Sequence, residues 1–451
     1  IKNIIVDVYR QHRYLNKEDC FTENEKQQMM EITEKMDDVT AQDALKNLSS
    51  YLKLLYGKKV LIFLDEYDTP MQEAYINGYW DEFTGFMRGL FNATFKTNPY
   101  LERAIMTGIT RASKESVFSD LNNLTVITTT SDQYADCFGF TEEEVFKTLD
   151  QFGMSDKKQI VKQWYDGFSF GPFKDIYNPW SITNYLKEKK LRPYWASTSS
   201  NGLISKLLQS ASANMKTQLE ELLNGKQIIV NFDEQIIFGQ LEQDENAVWS
   251  LLVASGYLKV EEIEYKGMTL EPWYHLAVTN LETISMFSNM FKSWFATASA
   301  NYNEFIKAML GGNVKAMNLY MNDIALATFS SFDVGKHFSQ RSQPERFYHG
   351  FVLGLLVEVR DLYEIRSNRE SGYGRYDVML IPKTKENDGI ILEFKVKESE
   401  EKTLEKTVQT ALAQIEAKKY DAELLELGVS KEHIRHYGFA FEGKKVLIGQ
   451  K

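Results

Sequence analysis

Apolar residues recur at helical spacing through residues 1–56, at positions such as Met29, Ile32, Met36, Leu45, Leu48, Leu52 and Leu55. That period predicts helices with one buried stripe, and Asp43 after Thr40 marks a helix start. The pattern then changes. In KKVLIFLDEYD, residues 58–68, five apolar residues run straight into Asp65 and Glu66. A continuous apolar run predicts a strand buried on both faces, as in a parallel sheet. A helix, a turn at Asn98-Pro99 and a second strand over 103–108 follow. Thr141 with three glutamates behind it predicts a capped helix. Trp164 to Phe168 read as an aromatic turn containing Asp166, and Asn178-Pro179 precedes another helix. Residues 226–335 read as mainly helical. Within them a helix from Ala247, a turn at Gly256 and strands beyond it follow the order of a winged-helix unit.

The last quarter carries a different pattern. In GYGRYDVMLIPKTKENDGIILEFKVK, residues 372–397, two strand-like runs over 375–381 and 390–396 flank a polar turn. Residues two apart on a strand share a face, so Glu393 and Lys395 point the same way and Phe394 points away. Pairing of the hairpin brings Asp377 towards Glu393. Two carboxylates lining an oxygen-rich space suit Mg²⁺, and a lysine beside them can hold a water or a phosphate oxygen. The same residues also read as a solvated strand face with a cross-strand ion pair. Helical patterns flank the hairpin. One starts at Pro344-Glu345, and the other has an apolar stripe of Leu404, Val408, Ala411, Leu412 and Ile415. Closing strands are expected over 437–441 and 445–448.

Composition narrows the setting. A chain of 451 residues is too long for one ordinary domain. The cysteines, Cys20 and Cys137, lie far apart and form neither a disulfide framework nor a metal pattern, which suggests a reduced, cytoplasmic environment. No apolar run is long enough for a membrane span. The net charge of −11 argues against loose, non-specific coating of nucleic acid. His433 and His436 lack a third ligand nearby in sequence, so zinc is not expected.

Two resemblances extend this reading. Tyr376-Asp377 followed by Glu393-Phe394-Lys395 resembles the PD-(D/E)xK nuclease superfamily, with Tyr376 in place of the motif's proline. QIEAKKY, from Gln414 to Tyr420, is similar to the Gln/Tyr helix motif of many of its members. The stretches LIFLDEYDTP, FGFTEEEV, WYDGFSF and YNPWSI resemble the bacterial AAA-ATPase-like family, whose members commonly end in such a nuclease-like domain. The resemblances imply an α/β chain in three parts. Residues 1–150 would be a P-loop ATPase-like parallel sheet core, 151–335 a helical, winged-helix-like lid, and 336–451 a restriction-endonuclease-like domain. In the last part Asp377 and Glu393 would bind metal, joined by the Phe394 carbonyl. Lys395 would orient the nucleophilic water, with Glu345 and Gln414 assisting. In the first part Asp65 would hold the Mg²⁺ of a nucleotide and Glu66 would polarise the attacking water. Thr107 would sense the γ-phosphate, and Arg111 would neutralise developing charge.

The implied activity is an ATPase-linked nuclease using Mg²⁺ or Mn²⁺. It would act on nucleic acid, DNA ahead of RNA, and form a homo-oligomer through the ATPase part. The competing reading is a non-catalytic nucleic-acid or protein docking module coupled to a nucleotide switch, in a defence or mobile-element system. One departure is large: no GxxxxGK[ST] loop occurs in the chain. Ile1 falls inside a periodic pattern, so the expectation is a fragment of a longer protein that does not bind ATP well by itself.

Overall fold

Short apolar runs closed by polar turns form several of the strands, among them β1 (Val60–Leu64), and helices fill much of the chain between strands. A computed structural model describes residues 1–109, 121, 124–196, 201–234, 241, 244–294, 299–328, 350–351, 354–355, 357–371, 374–397, 401, 403–442 and 444–451. The contacts divide the chain into two compact units, 1–135 with 231–256, and 136–230 with 257–451. These divide the chain differently from the three segments expected from the sequence.

The first unit begins with α1 (Lys2–Gln11), α2 (Glu23–Glu31) and α3 (Asp38–Tyr56). α3 starts earlier than expected. Asp37 is its cap, accepting the Thr40 N–H at 2.7 Å, so Asp43 lies inside the helix. β1 (Val60–Leu64), α4 (Thr69–Asn77), α5 (Trp80–Phe91) and β2 (Leu101–Met106) follow. β1 and β2 pair in parallel, as the apolar runs suggest. The expectation of burial on both faces fails, however. Leu61, Phe63 and Ile105 are 58%, 70% and 51% exposed. Among the described residues the sheet has only these two strands, and the half-buried Val60, Ile62 and Leu64 alternate with the exposed side chains.

The second unit opens with β3 (Phe140–Thr141), α6 (Glu142–Gln151), α7 (Lys158–Tyr165), β4 (Phe168–Phe170), β5 (Phe173–Tyr177) and α8 (Pro179–Glu188). Thr141 caps α6 in a reciprocal box with Glu144. Next come α9 (Gly202–Ser210), α10 (Ala213–Leu223) and β6 (Ile228–Val230). α11 (Asn246–Ala254) belongs to the first unit, whereas β7 (Leu258–Lys266) and β8 (Glu271–Val278) belong to the second. Two small antiparallel sheets, β3-β5-β4 and β6-β8-β7, lie among these helices, and β4, β5 and β6 were not anticipated in the segment expected to be a helical lid. β7 and β8 are the strands expected beyond Gly256.

α12 (Leu281–Trp294), α13 (Ser299–Leu310) and α14 (Val314–Thr328) lead to the largest sheet. It contains β9 (Tyr363–Ser371), β10 (Gly374–Pro382), β11 (Gly389–Val396), β12 (Ile434–Glu442) and β13 (Lys445–Gln450). The order is β13-β12-β11-β10-β9, and only β11 and β12 run parallel. That parallel pair is bridged by α15 (Leu404–Lys418) and α16 (Ala422–Glu426), as a parallel connection requires. β9 was not anticipated, because YEIRSNRES is too polar to read as a strand.

Each face of this sheet has its own core. Met379, Ile381, Ile391 and Ala440 pack with Val408, Leu412 and Ile415 of α15 and with Tyr420 and Leu424. On the other face Phe394 stacks on Phe439, ring centroids 4.6 Å apart, and meets Phe351 edge-on. The edge strand β13 is closed by α14. Asn318 donates to the Ile448 carbonyl at 2.8 Å and accepts its N–H at 2.7 Å. Asn322 does the same with Val446 at 2.7 and 3.0 Å. Two amides one helical turn apart thus stand in for a missing strand. Asn318→Asp keeps the acceptor and loses the donor, so a partly buried carbonyl goes unmatched. Chemical denaturation should report a loss of about 1–3 kcal/mol; an unchanged midpoint would show that the edge does not need this partner.

Candidate active site

β10 and β11 pair through Val378↔Leu392, Met379↔Ile391 and Leu380↔Ile390. Odd-numbered residues of both strands face α15, which places Asp377, Glu393 and Lys395 on one side of the sheet. Asp377 is tied across the hairpin: its Oδ2 accepts the backbone N–H of Phe394 at 2.7 Å. Glu393 and Lys395 sit opposite Gly438 and Ala440 of β12. Gly438 is needed there, since a Cβ would lie 3.0 Å from the Val408 carbonyl oxygen and 3.1 Å from Ala411 and Leu412 of α15. Its cross-strand partner Gly449 is just as close, with Val408 Cγ1 at 2.5 Å from a built Cβ. The two glycines let α15 settle onto the strands, so that Gln414 reaches the acidic pair.

Gln414 is held in one orientation by what it touches. Its Oε1 accepts from Lys395 Nζ at 2.7 Å, and its Nε2 donates to Glu393 Oε1 and to Tyr420 Oη, the latter at 3.1 Å. An ammonium must face the amide oxygen and a carboxylate must face the NH₂ group. Glu393 is only 2% exposed, and among the described residues its Oε2 has no hydrogen-bond partner. Burial pushes its carboxyl group up to about 8, and the charge of Asp377 adds to this against the opposing pull of Lys395. Burial likewise pushes Asp377 up to about 6, opposed by the Phe394 N–H and by Lys395. A buried carboxylate oxygen with no donor, next to a second raised carboxylate, fits a divalent cation. The donors are hard oxygens of the kind Mg²⁺ and Mn²⁺ take.

Residues 343–451 match the PD-(D/E)XK nuclease superfamily. The chain carries a nuclease superfamily domain. Residues 8–118 match a second family, described as Predicted AAA-ATPase. A curated relative, "Uncharacterized protein in vnfD 5'region" of Azotobacter chroococcum mcd 1, is 26% identical over 227 residues. That alignment covers 50% of this chain and 41% of the relative, so the chain spans less than half of the relative's length. No solved structure matches the chain.

Within the nuclease superfamily domain the structure brings together Asp377, Glu393, Lys395 and Gln414. Glu345 lies outside the described residues. The contribution of Tyr420 was legible only as the last letter of QIEAKKY. Its place against Gln414 follows from Lys419, whose φ of 53° ends α15 and turns the chain back. Among the described residues of this domain, His433 and His436 are hydrogen-bonded to carboxylates, His433 with Asp388 at 2.8 Å and His436 with Asp421 at 2.6 Å.

In the ATPase-like domain Asp65, Glu66 and Thr107 meet at the carboxyl ends of β1 and β2. Thr107 Oγ1 donates to Asp65 Oδ1, and the Glu66 N–H points to Asp65 Oδ1 and Thr107 Oγ1 at 3.1 and 3.3 Å. Arg111 lies outside the described residues. Sequence reasoning missed Asp68, which is 1% exposed and accepts the Ile109 N–H at 3.0 Å, fastening the exit of β2. It looked like one more acid in a solvated turn. Without a phosphate-binding loop, the residues present do not by themselves fit a nucleoside triphosphate. No helix among the described residues is long and apolar enough to cross a membrane.

The raised carboxyl groups make stability depend on pH. The unfolded chain releases these protons near 3.8 and 4.5, whereas the folded chain holds them to about 6 and about 8. The folded state therefore binds more protons across that window, and its stability falls as pH rises through it. Without added metal, thermal melting should show this fall, and Glu393→Gln should flatten it. Mg²⁺ or Mn²⁺ should raise the melting temperature more at pH 8 than at pH 5, because metal displaces the protons. A slope that Glu393→Gln leaves intact would place its origin elsewhere.

Proposed function

We propose that the nuclease superfamily domain hydrolyses nucleic-acid phosphodiesters with a divalent cation, Mg²⁺ or Mn²⁺, held by Asp377 and Glu393. The observation that carries this reading is the Glu393 Oε2 atom, buried and without a hydrogen-bond partner among the described residues, beside Asp377 and Lys395. Buried carboxylate oxygens are paired in the large majority of structures, so this one supports a missing cationic partner. A bound cation would polarise the phosphoryl oxygen and favour ionisation of a water. Lys395 orients that water and offsets the negative charge that builds as water adds to phosphorus and the P–O ester bond breaks. Gln414 positions Lys395 and Glu393 together, and Tyr420 holds the amide of Gln414. The Phe394 carbonyl and Glu345 are further proposed contributors. DNA is the proposed substrate ahead of RNA.

Coupling to ATP is a proposal for the protein that supplies the phosphate-binding loop. There Asp65 would hold the nucleotide's Mg²⁺, Glu66 would polarise water, and Thr107 and Arg111 would face the γ-phosphate. Assembly through the ATPase-like domain belongs to the same proposal.

The test is cleavage of single- and double-stranded DNA and RNA by this chain with Mg²⁺ or Mn²⁺. Lys395→Ala and Glu393→Gln should each lower the rate by about two orders of magnitude or more. Gln414→Leu, which removes only a positioning contact, should cost roughly tenfold to a hundredfold. Full cleavage by Lys395→Ala would refute the assignment. Silence of the parent protein, together with no metal-induced stabilisation, would favour the docking module.

A further inference from the structure

The sequence segments FTEEEV and WYDGFSF play no part in the site above, yet the fold brings their acids together. Glu142 lies in the first turn of α6, Asp166 ends α7, and Asp175 sits on β5. One carboxylate oxygen from each lies within 4.8 Å of the others. Lys162, one turn before Asp166, points its ammonium among them. It is bonded to Glu142 Oε2 and lies 3.4 Å from Asp175 Oδ1 and 3.7 Å from Asp166 Oδ2.

This could be no more than an ion-pair network, and one lysine does offset part of the charge. Two observations go beyond that. Three carboxylates face one ammonium. Asp166 is only 7% exposed, and among the described residues its Oδ1 has no hydrogen-bond partner. Burial pushes its carboxyl group up to about 7 against the opposing Gly167 N–H and Lys162, and the hydrogen-bonded, like-charged Asp175 adds to the rise. The residue is also fixed in place. Its carbonyl accepts from Asn280 Nδ2 at 2.8 Å, and a Cβ on Gly167 would lie 2.2 Å from the Thr279 carbonyl oxygen. The backbone beyond Asp166 therefore has no room to carry the carboxylate out to water. A buried carboxyl group with one unmatched oxygen, set beside two other carboxylates, calls for an ion.

We propose that Glu142, Asp166 and Asp175 form a second divalent-cation site, of the calcium class, in which Lys162 holds the place that the cation takes. The oxygens lie within 4.8 Å of one another, no farther apart than ligands on opposite sides of a Ca²⁺ ion with bonds of ~2.4 Å. The Asp175 side chain is 55% exposed, which leaves one side open for water ligands. The Lys162 side chain is 35% exposed and swings out to solvent when the cation enters. The cation then joins α6, α7 and β5 in place of the lysine. Lysine and cation compete, so removing the positive charge tightens metal binding.

Terbium(III), which takes the same oxygen ligands as calcium, is the probe. Tyr177 sensitises its emission, since its hydroxyl lies 3.2 Å from Glu142 Oε2. The full chain carrying Asp377→Asn and Glu393→Gln is titrated, so that the candidate active site does not contribute. Saturable emission, reversed by excess Ca²⁺, is expected in this parent. Asp175→Asn should weaken it at least tenfold, and Lys162→Gln should tighten it at least threefold. A titration of Asp175→Asn that superimposes on the parent overturns the proposal, as does a Lys162→Gln protein that binds no tighter. Asp175 is exposed, so its variant decides the matter even if Lys162→Gln does not fold.

Discussion

Two acidic side chains on neighbouring strands are withdrawn from water beneath one helix, and the arrangement of the second unit's largest sheet serves that burial. Taking a carboxylate out of water is unfavourable unless charge or hydrogen bonds compensate it. Here the compensation is partial. Asp377 is satisfied across the hairpin by the Phe394 N–H, and Glu393 receives one donor from Gln414 while, among the described residues, its second oxygen receives none. Both groups hold their protons to higher pH than usual. The same withdrawal from water strengthens any interaction with a cation, so a local loss of stability and an affinity for a cation would share one cause.

The rest of the domain keeps α15 close and the strands in register. Gly438 and Gly449 remove the side chains that would hold the helix off the sheet. The aromatic stack of Phe394 on Phe439 anchors β11 from the opposite face, so the residue between Glu393 and Lys395 is pinned by packing. Asn318 and Asn322 close the outer edge. A site built on central strands with both faces packed has little freedom to drift, and the proposed metal-assisted hydrolysis would depend on that positional accuracy.

The two acidic clusters of the second unit solve the same electrostatic problem differently. At Glu142, Asp166 and Asp175 a lysine sits among the acids. At Asp377 and Glu393 the lysine is drawn aside by Gln414, and the unmatched oxygen remains next to a second carboxylate. In the first unit the acids at the ends of β1 and β2 are exposed and satisfy one another through Thr107 and nearby backbone N–H groups.

Much of this was legible in the chain itself. The two-residue period of 375–381 and 390–396 and the stripe on α15 determined the hairpin, the helix behind it and the face shared by Glu393 and Lys395. Period and turn chemistry are local properties, and they survive into the fold. The capped start of α6 and the parallel pairing of β1 with β2 were legible for the same reason. Other features were not. β9 is a strand despite a polar sequence, because pairing with β10, not composition, holds it. Asp68 and Asp166 look like turn acids until packing buries them. The reach of Gln414 to both Lys395 and Glu393 depends on two glycines on separate strands and on how closely a helix can approach them. Spacing along the chain determined which residues can share a face; only close packing of distant segments decided which of them lose water, and with it which carry chemistry.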